Sequence, residues 1–218
     1  MLPIFEELFL LALDEETGRS LTFTKKTLAH GLSGGILAEL AFLSKVCSNE
    51  KHRLELMDPS LTGDDILDES IEEIRSSDKL RRTSYWVSQF SSRPKKLRER
   101  IGDRLAAKDL LSKDDRRFFW TMPSGGDNAL TARTKFEMKT PLRAAILSNG
   151  ESGPRDLSLL MVASATGLLN LIFTQDELPI AHQRIHQKFV HDALGNPVMQ
   201  TIEEIEQAII SSLEDELD

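Results

Sequence analysis

Cysteine is nearly absent: Cys47 is the only one in 218 residues. An intrachain disulfide and a thiolate metal cluster are therefore excluded, and a lone thiol fits a reducing compartment. Aromatic residues make up 6%, with 12 glycines and 8 prolines, which sets aside collagen-like, mucin-like and disordered compositions. The N-terminal apolar stretch from Leu8 to Leu13 follows Glu6 and Glu7 rather than a basic segment, so it lacks the pattern of a secretory signal. One long run is free of formal charge, the 19 residues from Leu157 to Gln175. Its length approaches that of a membrane span. However, Ser158, Ser164, Thr166, Asn170 and Thr174 interrupt it and no basic cluster closes it, so the pattern favours a helix buried within a bundle.

What the chain does have is helical periodicity. Pro3 precedes Ile4, Phe5, Leu8, Leu11 and Ala12 at helical spacing, with proline where a first turn tolerates it. Leu28, Leu32, Ile36, Leu40 and Leu43 share one face of a second helix, where Gly31, Gly34 and Gly35 would admit a close neighbour and Glu39 needs a partner. Leu54-Glu55-Leu56 alternates as a short strand paired across the polar turn from Ser48 to His52. Asp64 or Thr62 can cap a helix carrying Ile66, Leu67, Ile71 and Ile74. Tyr85, Trp86 and Phe90 lie on a further short helix, and Leu97, Ile101 and Leu105 recur at i, i+4, i+8 after Arg93-Pro94. The run from Arg117 to Met122 is strand-like and ends in Pro123-Ser124-Gly125-Gly126-Asp127, where a hairpin fits. Helices from about Asn128, around Leu157, from Leu178 to Val190, and around Ile202, Ile205, Ile209 and Leu213 complete the chain. The expected architecture is mainly α, a single-domain helical bundle over residues 1–218 around a central buried apolar helix, with short β-hairpins.

The candidates for catalysis or metal binding are weak. His182 and His186 are spaced i, i+4 and His191 follows, but no third ligand with its supporting shell is evident. Gly150-Glu151-Ser152-Gly153-Pro154 departs from a nucleophile elbow at its last position. Gly31-Leu32-Ser33-Gly34-Gly35 lacks the Lys and Ser/Thr of a phosphate loop, and Asp64, Asp65, Asp68 and Glu69 suit capping and the helix dipole. The expectation is a protein that is not an enzyme, with no catalytic residue, no metal and no cofactor.

Charge segregation is the informative pattern. Lysine and arginine number 27 against 35 acids, a net of −8. Between Lys79 and Arg104 there are nine basic residues against Glu99 and Asp103, a net of +7, so the remainder carries −15. Either the basic face is a solvated or internally matched surface, or it is an anion site. Lys95 and Arg98 stand at i, i+3 at the start of a helix, whose free N–H groups also favour anions. Arg81, Arg82, Arg93 and Lys96 would support them, giving salt-sensitive attachment to an anionic membrane surface. Phe118, Phe119, Trp120 and Met122 offer an apolar wedge or buried strand residues.

Three stretches carry a family resemblance: Phe5 to Gly18 (FEELFLLALDEETG), Gly31 to Ala41 (GLSGGILAELA) and Leu61 to Ser70 (LTGDDILDES). With the helix around Leu97-Arg98-Glu99-Arg100-Ile101, their order and spacing resemble the Golgi phosphoprotein 3 family. The resemblance implies a mostly helical, non-enzymatic domain around a central apolar helix. Eukaryotic members read phosphatidylinositol 4-phosphate on Golgi membranes and hold cytoplasmic tails of glycosyltransferases. Their pocket of a tryptophan, an arginine and two further basic residues falls here on Thr24, Ser33, Lys95 and Arg98, so two of the four positions keep a charge. The family's hairpin, implicated in self-association and membrane insertion, matches approximately Phe118 to Asp127. The short N-terminus looks like that of a bacterial member. The implied ligand is an anionic phospholipid, phosphatidylinositol 4-phosphate or a related one, with no nucleic acid, at the cytoplasmic face of a membrane. Homo-oligomers are a further expectation, and the protein partner is unknown. Two alternatives stand beside this one: a nucleic-acid-binding regulator with a winged-helix-like basic module, and an oligomeric protein-interaction adaptor.

Overall fold

A computed structural model describes residues 1–13, 25–92, 94–114, 119–121, 128–148, 153–193 and 196–214. In chain order the elements are α1 (Ile4–Leu11), α2 (Lys25–Phe42), β1 (Val46–Ser48), β2 (Leu54–Leu56), α3 (Asp65–Arg75), α4 (Thr83–Ser91) and α5 (Pro94–Ala107). They continue with β3 (Ser112–Asp114), β4 (Phe119–Thr121), α6 (Asn128–Leu147), α7 (Pro154–Ala165), α8 (Leu178–Ala193) and α9 (Pro197–Glu214). The fold is mainly α, with two small antiparallel strand pairs among the described residues.

Helix α2 is the hub, packing against α1, α3, α4, α5, α7 and α9. Its burial on every side follows from its sequence: leucines, isoleucine and alanines alternate with glycines that let neighbours approach. A Cβ on Gly31 would lie 2.8 Å from Thr166 Cγ2 of the α7 end, on Gly34 2.4 Å from Ile209 Cδ1 of α9, and on Gly35 3.0 Å from the Phe5 Cα of α1. Three adjacent helices thus close on one glycine-bearing turn and a half. Glu39, the one acid in α2, accepts the Ile4 backbone N–H at 2.7 Å, which answers an orphan donor at the start of α1.

The charge-free run does not form one long helix. Helix α7 is fully buried from Leu157 to Ala163 and stops where Gly167 takes φ +67°. A 3-10 turn, Leu168–Leu171, follows. Among the described residues no helix is long and apolar enough to cross a membrane. In the first strand pair Val46 opposes Leu56 and Ser48 opposes Leu54, as the alternation predicts. The second pair differs from expectation. Phe119–Thr121 is its returning strand, and its partner Ser112–Asp114 lies upstream, with Asp114 opposite Phe119. The turn signals of Pro123 to Asp127 lie outside the described residues.

Candidate functional site

Helix α5 carries the charged residues that matter. Pro94 opens it, and Leu97, Ile101 and Leu105 form the i, i+4, i+8 stripe that buries against α2. The remaining faces are polar and split sharply. Asp64 caps α3, accepting from the backbone N–H groups of Ile66 at 3.0 Å and Leu67 at 3.2 Å. The same turn then holds two arginines of α5. Arg104 donates from Nη1 to Asp64 at 2.8 Å and to Asp65 at 2.9 Å, and its Nε lies 2.8 Å from Oε1 of Glu6, a carboxylate with no exposure. Lys108 reaches the other Glu6 oxygen at 2.5 Å. Arg100 pairs with Asp65 at 2.6 Å and with Glu69. The hydrogen bond that Arg104 donates to Asp64, the charge of Asp64 and those of Glu6 and Asp65 push its guanidinium well above the ordinary value, against the cost of burial. For Asp64 burial works upward, yet the Arg104 bond and the capped N–H groups prevail and its carboxyl is lowered.

Arg98 is different. It is half-buried, its Nε is hidden from solvent with no hydrogen-bond partner, and burial alone lowers its pKa. Among the described residues no carboxylate offsets that burial. Lys96, two residues earlier, is exposed and borders a small cleft of about 50 Å³ with Gln89, Phe90 and Leu97. Lys95 belongs to the first turn of α5, but its side chain and all of Arg93 lie outside the described residues.

The basic run therefore divides. Arg100 and Arg104 are internal struts between α5, α3 and α1. Arg81 and Arg82 sit at the far end of α4, about 12 Å of helix away from the start of α5. Arg81 lies over the Tyr85 ring at 4.8 Å and donates to Asp78 at 2.9 Å. Arg82 is exposed at the N-cap of α4. Arg98 is left with Lys96 and the first turn of α5.

Ser33 is completely buried in α2 and its hydroxyl donates to the Ala29 carbonyl at 2.9 Å. Thr24 lies outside the described residues, as do Phe118 and Met122. Phe119 and Trp120 are in β4, with side chains beyond what is described. Their hairpin follows the C-terminal end of α5, so roughly two and a half helical turns separate it from Arg98. His182 and His186 are both exposed on α8, and among the described residues no group of three or more His, Cys, Asp or Glu could hold a metal.

Sequence reasoning missed Arg53. It lies outside the basic run, yet an antiparallel bridge sets it opposite Arg82. A contact of this kind has no local signal. Also unanticipated was the Glu7, Glu39 and Arg155 cluster: Arg155 lies 3.0 Å from Glu7 and 3.9 Å from Glu39. Burial pushes Glu7 up to about 7 despite Arg155, and it raises Glu39 as well.

Comparison with known proteins places these features. Residues 4–205 match the family model described as Golgi phosphoprotein 3 (GPP34). A curated relative, vacuolar protein sorting-associated protein 74 of Schizosaccharomyces pombe, is 29% identical over 182 residues. The match covers 72% of this chain and 53% of the relative, so the chain spans about half the length of that protein. The family match runs from the first residue of α1 into the middle of α9, taking in the α2 hub and the α3–α5 charge network, and on it the chain belongs to the Golgi phosphoprotein 3 family.

Proposed function

We propose that this domain binds the phosphorylated head group of an anionic phospholipid, phosphatidylinositol 4-phosphate or a close relative, at the first turns of α5. It acts as a peripheral, non-enzymatic membrane-binding module on the cytoplasmic face. The observation that carries the reading is Arg98: a half-buried side chain whose hidden Nε has no hydrogen-bond partner among the described residues. Leaving a desolvated cation unanswered is costly, and an incoming phosphate would remove that cost. The α5 N-terminus is suited to the same anion, because its first turn contains no acid and opens on proline. Lys95, in that turn, and exposed Lys96 add attraction to an anionic surface, each worth about 1 kcal/mol. Family membership supports the same ligand class. With Thr24 and Ser33 in place of the family's tryptophan and arginine, charge rather than ring stacking dominates recognition, so the domain accepts more than one phosphorylated head group.

Flotation with phosphatidylcholine vesicles, with and without phosphatidylinositol 4-phosphate, tests the proposal. Wild type should float only with the anionic lipid and lose binding as salt rises. Arg98→Gln should weaken flotation about tenfold, as expected for loss of a charge-assisted bond. Equal flotation of the two proteins would reject this site.

A further inference from the structure

A second set of cations converges at the opposite end of α4, and the backbone dictates it. The Leu54 N–H donates to the Arg81 carbonyl at 2.9 Å and the Thr83 N–H to the His52 carbonyl at 3.4 Å, which makes Arg53 and Arg82 direct antiparallel partners. Side chains opposed in this way stand about 5 Å apart at Cβ, and like charges there repel. Both arginines are exposed. Lys79 and Arg81 join them along one open groove of about 670 Å³, together with Tyr85 and the hydroxyl-bearing Ser84.

Among the described residues, Asp78 is the one carboxylate bonded to any of these four cations. Even Arg81, bonded to Asp78 and stacked on Tyr85, keeps a buried Nε with no hydrogen-bond partner. Helix α4 also begins here with Arg82 as its N-cap, no side-chain cap and no acid in its first turn. Across the packing, Glu204 of α9 accepts from the Thr83 hydroxyl at 3.4 Å, so one carboxylate partly offsets the positive end of the dipole beside the four cations. A fold that sets two arginines face to face gains from an anion between them.

We infer that this groove is a second anion site, distinct from Arg98, whose ligand carries two or more linked phosphate groups. The multiplicity follows from the number of cations and the size of the groove: four cations line about 670 Å³, more charge and more room than a single phosphate can use. The ligand is either a multiply phosphorylated lipid head group or a soluble diphosphate.

Calorimetric titration of the full chain with inorganic pyrophosphate tests the site, using the double variant Arg53→Gln/Arg82→Gln and the single variant Arg98→Gln. The substituted groove residues are exposed, and unchanged circular dichroism and melting would confirm that the variants fold. Wild type should bind pyrophosphate with an affinity that falls as salt rises. The double variant should lose at least tenfold and Arg98→Gln should bind as wild type. Flotation with vesicles containing phosphatidylinositol 4,5-bisphosphate then identifies the source: weaker flotation of the double variant means a lipid head group, and unchanged flotation with lost pyrophosphate binding means a soluble ligand. Either supports the groove. Pyrophosphate binding that survives the double substitution, that vanishes with Arg98→Gln, or that is absent in wild type would overturn it, whatever becomes of the Arg98 site.

Discussion

Arg98 and Arg104 project from the same helix, and among the described residues carboxylates answer the charge of Arg104 but not that of Arg98. Six residues put them about 120° apart around the axis of α5. Arg104 faces Glu6, Asp64 and Asp65, whereas Arg98 has a buried, unbonded Nε. The two arginines should therefore fail in opposite ways when their charge is removed. Arg104→Gln leaves Glu6, which has no exposure, with Lys108 as its remaining cation. Urea denaturation should show a loss of about 3–5 kcal/mol, the range for breaking one side of a buried ion pair. A loss below about 0.5 kcal/mol, typical of a surface change, would show that the network is not structural.

Packing at the hub gives a second prediction. Gly34 and Gly35 both lack room for a methyl group, but the obstacles differ. At Gly34 the nearest atom is Ile209 Cδ1, the far end of a side chain that can rotate. At Gly35 a new Cβ would stand 3.0 Å from the Phe5 backbone as well as 2.8 Å from Leu8 Cδ1. Alanine gains about 0.5–1 kcal/mol of helix propensity at either position, while overpacking costs about 1–3 kcal/mol. Gly35→Ala should be the more destabilised of the two in thermal melts, and the reverse order would contradict the described α1–α2 approach.

Much of this packing was legible in the sequence. The i, i+4, i+8 stripe of α5, the Asp64 cap, the Leu54 strand and the glycines of α2 all follow from local periodicity and local hydrogen bonding. So did the need of Glu39 for a partner. The basic run was legible only as a charge count. Its division into struts, an unpaired Arg98 and a groove at Arg82 depends on which helix packs beside which. Arg53 shows the limit most clearly, because 29 residues separate it from Arg82 and the bridge between them is a tertiary event. The pairing of Phe119 with Asp114 was missed for a related reason: strong turn residues after Met122 outweighed a polar upstream strand that carries no apolar alternation.

Acid and base should both lower stability, each through a different set of carboxyls. Burial, opposed by Arg155, pushes Glu7 up to about 7, and burial with the charge of Glu203 pushes Glu206 up to about 7. A carboxyl with a raised folded-state pKa contributes stability below its ordinary value that is lost as pH climbs towards 7. Asp58, bonded to Lys45, and Glu177, bonded to Arg143, are lowered to about 2. Their contribution is present above their ordinary range and disappears as pH falls towards 2. The melting temperature should therefore peak near pH 5, falling by a few degrees towards pH 8 and again below pH 4. Glu206→Gln should flatten the fall on the alkaline side. A melting temperature that climbs steadily from pH 5 to pH 8 would contradict these assignments.

The most direct measurement of the central claim is the melting of wild type and Arg98→Gln with and without soluble short-chain phosphatidylinositol 4-phosphate. Among the described residues Arg98 has no bonded partner to lose, so without lipid Arg98→Gln should be at least as stable as wild type, having shed a desolvated charge. With lipid in excess, wild type should melt several degrees higher through mass action, and Arg98→Gln should show little or no shift. If the lipid raised both midpoints equally, or if Arg98→Gln were destabilised in buffer as Arg104→Gln is, Arg98 would be another structural cation and the account of the site would be wrong.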